Sequence, residues 1–203
     1  MPRNKPGQRR RVTALIILDM LSEFEFPDGP AVKAAALRIA KPIAGLRDRA
    51  RRAGVPVIYV NDTGCQWESD QRAFLQRCLA GPGGAIAALL RPDEGDFFVF
   101  KPRHSAFYGT PLDELLQTLG VQHLVLTGTS SHQCVLLTAS DAHIRGFDVT
   151  VASDGIAAAD AAATRHAVYI LENGLQASVR PSRRISFPRS TRRGGRGGRD
   201  GGR

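Results

Sequence analysis

Short apolar runs alternate along the chain with longer segments in which apolar residues recur every three or four positions. The runs are rich in Val, Ile, Leu and Phe, and they predict strands at residues 13–19, 55–61, 97–101, 123–128, 148–153 and 175–179. The longer segments predict helices at residues 30–53, 69–91, 111–120, 132–145 and 160–172. A Gly-Pro-Gly-Gly run at 81–84 is expected to break the second helix.

Strict alternation of strands and helices is typical of parallel βαβ units. We therefore predict a three-layer α/β fold, with a doubly wound, mostly parallel six-stranded sheet and helices on both faces. In such sheets a functional site lies beyond the carboxyl ends of the strands. That rule selects the residues that follow the predicted strands, which are Asp19, Asn61, Asp62, Lys101, the segment 128–134 and Asp154.

Basic residues are concentrated at the two ends of the chain. The net charge is +9, yet residues 1–11 contain five Lys or Arg and no acid, and residues 180–203 contain nine Arg and one Asp. The body between them is mildly acidic. We predict a disordered basic arm at 1–11, one folded domain at 12–182 and a disordered Arg/Gly-rich tail at 183–203, because the ends offer too little apolar surface to bury. Such a tail either binds polyanions weakly through counterion release or serves as a solvated extension.

The length and the cysteine content restrict the class of protein further. A chain of 203 residues suits one domain with a sizeable core. No apolar run is long enough for a membrane helix, and the basic start is not followed by the apolar stretch of a signal peptide. Three cysteines without short paired spacing argue against a disulfide framework. We therefore expect a cytoplasmic protein that does not enter a membrane.

Cys134 stands near the start of the helix that follows the fourth strand. Backbone amides at a helix start favour a thiolate, which would lower the thiol pKa, and they can also bind an oxyanion. The same position equally suits a small buried hydrophobic residue.

Asp19 and Lys101 each end an apolar strand, so both charges require partners if they are buried. Neighbouring strands could bring them to Cys134, where lysine would stabilise the anions and the carboxylate would accept the thiol proton. The simpler interpretation of Asp19 is a helix cap or a loop ion pair.

Three separated segments are similar to those of isochorismatase-like cysteine hydrolases. They are LIILDM with the SEF that follows it, KPRHSAFYGTPLDELL, and LVLTGTSSHQCVLLTASDAHIRGFDVTVASDG. They occur in the order and spacing of that family, and the resemblance extends over about residues 12–179. It implies the same three-layer fold and a hydrolase that forms dimers or tetramers and acts on a small molecule.

Position by position, the resemblance implies that Cys134 is the nucleophile, Asp19 the general base and Lys101 the catalytic lysine. It also implies a cis peptide between Thr129 and Ser130, with the amides of Ser130 and Cys134 as the oxyanion hole. The chain departs from the family at Ser131-His132, where many members carry Thr-Asp or Thr-Asn.

The stretch from Asn61 to Trp67 has no histidine, unlike the metal-binding stretch of nicotinamidases in this family, so we expect no metal and no cofactor. Candidate pocket residues are Phe24, Trp67, Phe107 and His132, and the aromatic three suit the core or an oligomer contact equally well. His104, soon after the lysine strand, is a further candidate for substrate contact.

These observations predict a cysteine hydrolase that acts on a small amide or another C–N substrate through a covalent intermediate. One alternative is vinyl-ether hydrolysis of the isochorismate type, which the resembling enzymes perform with Asp and Lys and without a nucleophilic cysteine. A second alternative is a nucleic-acid-associated protein that acts through its Arg/Gly tail.

Overall fold

The computed structural model describes residues 11–63 and 68–187. The strands are β1 (Val12–Leu18), β2 (Val57–Asp62), β3 (Phe97–Lys101), β4 (Val121–Thr129), β5 (Asp148–Ala157) and β6 (Ser178–Arg180). The helices are α1 (Gly29–Arg52), α2 (Gln71–Ala80), α3 (Gly84–Leu89), α4 (Leu112–Thr118), α5 (Leu136–Ile144) and α6 (Ala161–Asn173). A π-helical turn over Ser131–Val135 precedes α5, and a 3₁₀ turn over Ser182–Arg184 follows β6.

The six strands form one parallel sheet in the order β3-β2-β1-β4-β5-β6. The chain reverses its direction of winding at β1, so the carboxyl ends of β1 and β4 flank the switch point at which such sheets bind ligands. The predicted three-layer, doubly wound α/β fold is confirmed.

Alternate residues of the strands face two separate cores. Leu15 and Ile17 of β1 belong to the core under α1, α2 and α3, whereas Ile16 and Leu18 face the core under α4, α5 and α6. A central parallel strand is buried on both faces, which explains its uninterrupted apolar sequence.

Local signals set several helix boundaries. The carboxylate of Asp70 accepts hydrogen bonds from the amides of Arg72 and Ala73 and caps α2, and Asp160 caps α6 through the amide of Ala162. The predicted helix over 69–91 is divided into α2 and α3 by the glycine-rich run, as expected.

Gly128 allows β4 to lie against the end of β1. Its φ is +118°, and a Cβ at this position would lie 1.9 Å from the carbonyl oxygen of Leu18. Only glycine fits such a close approach. The next residue, Thr129, donates a hydrogen bond from its hydroxyl to the carbonyl oxygen of Asp19 at 3.1 Å. The ends of the two central strands are thereby held together.

The described chain continues for five residues beyond the predicted domain limit at 182. Ile185 is buried in the first core, and Phe187 packs against the same core. Asp154, which lies within β5, accepts hydrogen bonds from the amide and hydroxyl of Ser182. The rest of the predicted tail and the arm up to residue 10 lie outside the described residues. Within the described residues, no helix has the length and apolarity needed to cross a bilayer.

Candidate active site

The sheet register brings three strand ends to one point. Leu18, which precedes Asp19, pairs with Val60 of β2 and with Gly128 of β4. Asp62, the last residue of β2, pairs with Lys101, the last residue of β3. Side chains from β1, β2 and β3 therefore meet the turn that follows β4.

Lys101 lies at the centre of this cluster, and its side chain is 0% exposed. Its Nζ is 2.9 Å from Asp19 Oδ2, 3.3 Å from Asp62 Oδ2 and 3.5 Å from Cys134 Sγ. Burial acts to lower the pKa of Lys101, but the charges of Asp19, Cys134 and Asp62 and the hydrogen bond to Asp19 together raise it. The ammonium group is therefore charged at neutral pH and can stabilise an anion on either neighbour.

Asp19 is fixed by backbone contacts on both sides. Its amide donates to the carbonyl oxygen of Val60 at 3.0 Å, and its Oδ1 accepts from the amide of Asp62 at 2.6 Å. Its φ is +49°, a left-handed conformation that few non-glycine residues adopt. Burial raises the pKa of Asp19 above its usual value, although Lys101 and the hydrogen bonds from Cys134, Lys101 and Asp62 oppose the rise. A raised pKa makes the carboxylate a stronger proton acceptor.

Cys134 is presented by the π-helical turn, whose position is fixed by α6. Ser131 Oγ donates to Thr164 Oγ1 at 3.1 Å, and the same Thr164 oxygen accepts from the amide of Ala158. The thiol is 7% exposed, and its Sγ lies 3.8 Å from Nδ1 of His104. π-Turns of this kind occur frequently at functional sites.

The pKa of the Cys134 thiol differs from the value expected from the sequence. A helix start was expected to lower its pKa, but burial and the nearby charge of Asp19 raise the pKa of Cys134 to about 12, and Lys101 only partly opposes them. The expectation of a low thiol pKa is therefore wrong for this geometry. At neutral pH the sulfur retains its proton, and the neighbouring carboxylate of Asp19 is placed to accept it.

Replacing Asp19 by Asn should accelerate the alkylation of Cys134 and slow turnover. The loss of the carboxylate charge removes a cause of the raised pKa of Cys134 while Lys101 remains, so alkylation by iodoacetamide at pH 8 should accelerate about tenfold. Turnover should fall, because the proton acceptor is lost. Peptide mass spectrometry assigns the alkylation to Cys134, and Glu114→Gln on the exposed side of α4 is the matched control. Unchanged or slower alkylation in Asp19→Asn would contradict the coupling.

A cavity of about 850 Å³ opens over the cluster. Asp19, Asp62, His104 and Cys134 line it at the sheet edge. Its outer wall consists of the segment between β1 and α1, the first turn of α1 and part of α2, namely Leu21, Ser22, Glu23, Phe24, Glu25, Phe26, Asp28, Val32, Phe74 and Arg77. A small molecule can therefore reach the sulfur from solvent.

Two of the four pocket residues predicted from the sequence line the cavity. Phe24 and His132 line the cavity. Phe107 does not line it: this ring is 5% exposed and packs in the second core, with the guanidinium of Arg145 over its face at 4.6 Å. Trp67 lies outside the described residues.

The turn that carries Cys134 faces the cavity. The peptide bond between Thr129 and Ser130 is cis. Thr129, Ser130, Gln133 and Cys134 all line the cavity.

Two residues beside the cluster were not assigned a catalytic role from the sequence. Asp62 contacts Lys101 with its carboxylate and Asp19 with its amide. His104 is the second contact of the sulfur. Their positions at the ends of β2 and β3 were visible in the sequence, but the register that pairs Asp62 with Lys101 was not. Among residues 11–63 and 68–187, no three His, Cys, Asp or Glu side chains are grouped as a metal site.

Comparisons with known proteins agree with this architecture. A sequence model of the isochorismatase domain matches residues 13–179. The uncharacterized isochorismatase family protein YaaI of Bacillus subtilis is 36% identical over 172 residues, which cover 85% of this chain and 95% of that protein. A ureidoacrylate amidohydrolase, RutB of Caulobacter vibrioides, is 30% identical over 71% of this chain and 76% of its own length.

Solved structures show the same fold. An isochorismatase family protein from Desulfovibrio vulgaris superposes with a TM-score of 0.71 at 33% identity, over 86% of this chain and 96% of that one. N-carbamoylsarcosine amidase from Thermoplasma acidophilum gives a TM-score of 0.67 at 29% identity, over 85% and 98% of the two chains. With the match over residues 13–179 and these relatives, the chain belongs to the isochorismatase family of hydrolases.

Proposed function

We propose that the protein hydrolyses a C–N bond in a small amide or related compound, with Cys134 as the nucleophile. The observation that carries the proposal is the chain of contacts at the bottom of the cavity. Cys134 Sγ lies 3.5 Å from Lys101 Nζ, which lies 2.9 Å from Asp19. A thiol, a cation and a carboxylate in near contact provide a nucleophile, a charge stabiliser and a base.

The first half of the reaction forms a thioester. Asp19 takes the thiol proton as Sγ attacks the carbonyl carbon, and the carbonyl oxygen becomes an oxyanion that the amides of Ser130 and Cys134 bind. When the tetrahedral intermediate collapses, the C–N bond breaks and protonated Asp19 returns its proton to the leaving nitrogen. The amine departs, and the acyl group remains on Cys134.

In the second half, water replaces the amine. Asp19, again a carboxylate, removes a proton from a water molecule that attacks the thioester carbonyl. The C–S bond breaks, the acid product leaves and the sulfur recovers its proton. Lys101 remains charged throughout and stabilises whichever neighbour is the anion.

Two of the similar proteins have names that describe cleavage of C–N bonds: an amidase and an amidohydrolase. The alternative is hydrolysis of an isochorismate-type vinyl ether, which would use Asp19 and Lys101 alone. The name of the matching domain favours this alternative. The sulfur in contact with Lys101 and open to the cavity favours the amide reaction, because vinyl-ether hydrolysis gives it no role.

Rapid quenching during turnover distinguishes the two reactions. Wild-type protein is screened with small amides, ureides and isochorismate, and samples that show turnover are acidified within milliseconds and analysed by intact-protein mass spectrometry. We expect an amide substrate and a mass increase equal to its acyl group, localised to Cys134. Turnover of isochorismate alone, without an adduct, would establish the alternative.

A further inference from the structure

The described walls of the cavity carry a strong excess of negative charge. Six carboxylates line it, from Asp19, Glu23, Glu25, Asp28, Asp62 and Glu68, whereas Arg77 is the only Lys or Arg among the described lining residues. Residues 64–67, which lie outside the described part of the chain, have the sequence Gly-Cys-Gln-Trp and contain no carboxylate and no Lys, Arg or His. The site itself is defined independently of these acids by the nucleophile at its base.

Arg77 is not available to bind a substrate carboxylate. Its Nε donates to Glu23 at 3.1 Å, and another of its nitrogens is in contact with Glu68. Arg77, Glu23 and Glu68 together therefore carry one net negative charge. Lys101 is likewise engaged by Asp19 and Asp62 and is not among the residues lining the cavity. Both cations near the cavity are therefore outnumbered by acids in direct contact.

Glu25 and Asp28 add two further negative charges at the outer wall, and both side chains are exposed. Asp28 occupies the N-cap position of α1 but makes no capping hydrogen bond with its side chain. Few free amides at the start of α1 offset these charges. The amides of Gly29 and Val32 already donate to Phe26 and Asp28, and residue 30 is a proline without an amide hydrogen.

Apolar side chains also line the cavity, namely Leu21, Phe24, Phe26, Val32 and Phe74. Cys134, Leu21, Phe24 and Phe74 are buried, whereas Glu25 and Asp28 are exposed. The cavity lining thus combines a buried reactive centre, apolar side chains and exposed acids. A complementary ligand has its scissile carbonyl at one end and a cation at the other.

We propose that the substrate is an amide whose remote end is an ammonium or guanidinium group on an apolar stem, with Glu25 and Asp28 as the residues that select it. The inference rests on the proposed amide hydrolysis for its reactive end. It disfavours substrates that are carboxylates at the remote end, because an anion would meet an excess of like charge with no unpaired cation.

The test uses three amides of matched length on the full chain: 6-aminohexanamide, hexanamide and 6-amino-6-oxohexanoate. Each is titrated as a protectant of Cys134 against iodoacetamide, a readout that needs no turnover. We expect the cation to protect at a concentration about tenfold below that of the neutral amide, and the anion to protect least. The preference should weaken as salt is added.

The double variant Glu25→Gln/Asp28→Asn should bring the three half-protecting concentrations to within about threefold of one another. The control is Asp113→Asn/Glu114→Gln on α4, which removes the same charge away from the cavity and should retain the preference. Equal or better protection by the anion, no protection by the cation, or a preference that survives in the double variant would overturn the charge inference. If the preference is found but no amide is ever hydrolysed, the proposed function fails and the binding inference stands.

Discussion

Cys134→Ala should lower kcat for the amide substrate by a factor of at least about 10⁴, because no other side chain in the cluster can form the thioester. The fold should persist, since alanine is smaller than cysteine and the polar groups that contact the sulfur, those of Asp19, Lys101 and His104, lie at the cavity or keep other partners. The measurements are kcat by product release and the midpoint of thermal unfolding for wild type and variant.

Cys78→Ala is the matched control, because Cys78 is a buried cysteine of α2 that does not line the cavity. It should reduce stability through a small void and leave kcat within about twofold. Cys134→Ser tests the base: a hydroxyl in the same place should support only a trace of activity. Activity of Cys134→Ala near that of wild type would refute covalent catalysis and would leave Asp19 and Lys101 as the reacting groups.

The alternation of apolar runs and amphipathic segments was sufficient to predict the layer architecture. The central strand β1 is buried on both faces, so its sequence is almost uniformly apolar, and the long helix α1 carries a buried stripe. The strand boundaries that differ from the prediction lie where contacts between strands determine the ends of the elements. β4 extends to Thr129 because Gly128 allows close pairing with β1, and β6 begins only at Ser178, where its pairing with β5 starts.

The positions of Asp19, Lys101 and Cys134 at strand ends were also readable from the sequence, because parallel strands present their carboxyl ends to one edge. Which neighbours they meet depends on register, which is a property of the assembled sheet. The contact of Asp62 with Lys101 follows from the pairing of these two residues across β2 and β3. A local pattern could not supply it.

Two expectations depended on surroundings that the sequence does not specify. A low pKa of the Cys134 thiol was expected from its place at a helix start. Burial and the charge of Asp19 have larger effects here, and both raise this pKa. Phe107 was a candidate for the pocket as one of three aromatic residues that suited a core equally well, and the second core contains it.

Lys101→Met should destabilise the protein by about 3–5 kcal/mol at pH 7, because it leaves the buried carboxylate of Asp19 without its cation. Turnover should also fall by about 10³ or more, since the anions formed by Asp19 and Cys134 would lack their stabilising charge. Denaturant unfolding and kcat are the two measurements. Lys41→Met, at an exposed position of α1, is the control and should change the free energy of unfolding by no more than about 0.5 kcal/mol.

The pH dependence identifies Asp19 as the source of the loss. Its pKa is raised in the folded state above 3.8, so the folded protein binds more protons than the unfolded chain in the window above that value, and stability from this group falls as the pH rises. Without Lys101, an opposing cause is lost and the pKa of Asp19 rises further. The stability of Lys101→Met therefore falls by more than that of wild type as the pH rises, and it continues to fall to a higher pH. The stability difference between wild type and Lys101→Met should be largest near neutral pH and should shrink towards pH 4.

The double variant Asp19→Asn/Lys101→Met separates the missing cation from the lost packing of the lysine stem. Methionine retains most of the apolar stem, and asparagine has no charge to leave buried, so the double variant should be more stable at pH 7 than Lys101→Met alone. Its stability should also lack the fall with rising pH that Asp19 causes in Lys101→Met, and it should remain inactive. If the double variant is no more stable than the single one, or if the deficit of Lys101→Met is the same at pH 4 and pH 7, the ion pair is not what Lys101 contributes. The loss would then have to come from Asp62 or from packing, and the charge-stabilising role assigned to Lys101 in catalysis would lose its physical basis.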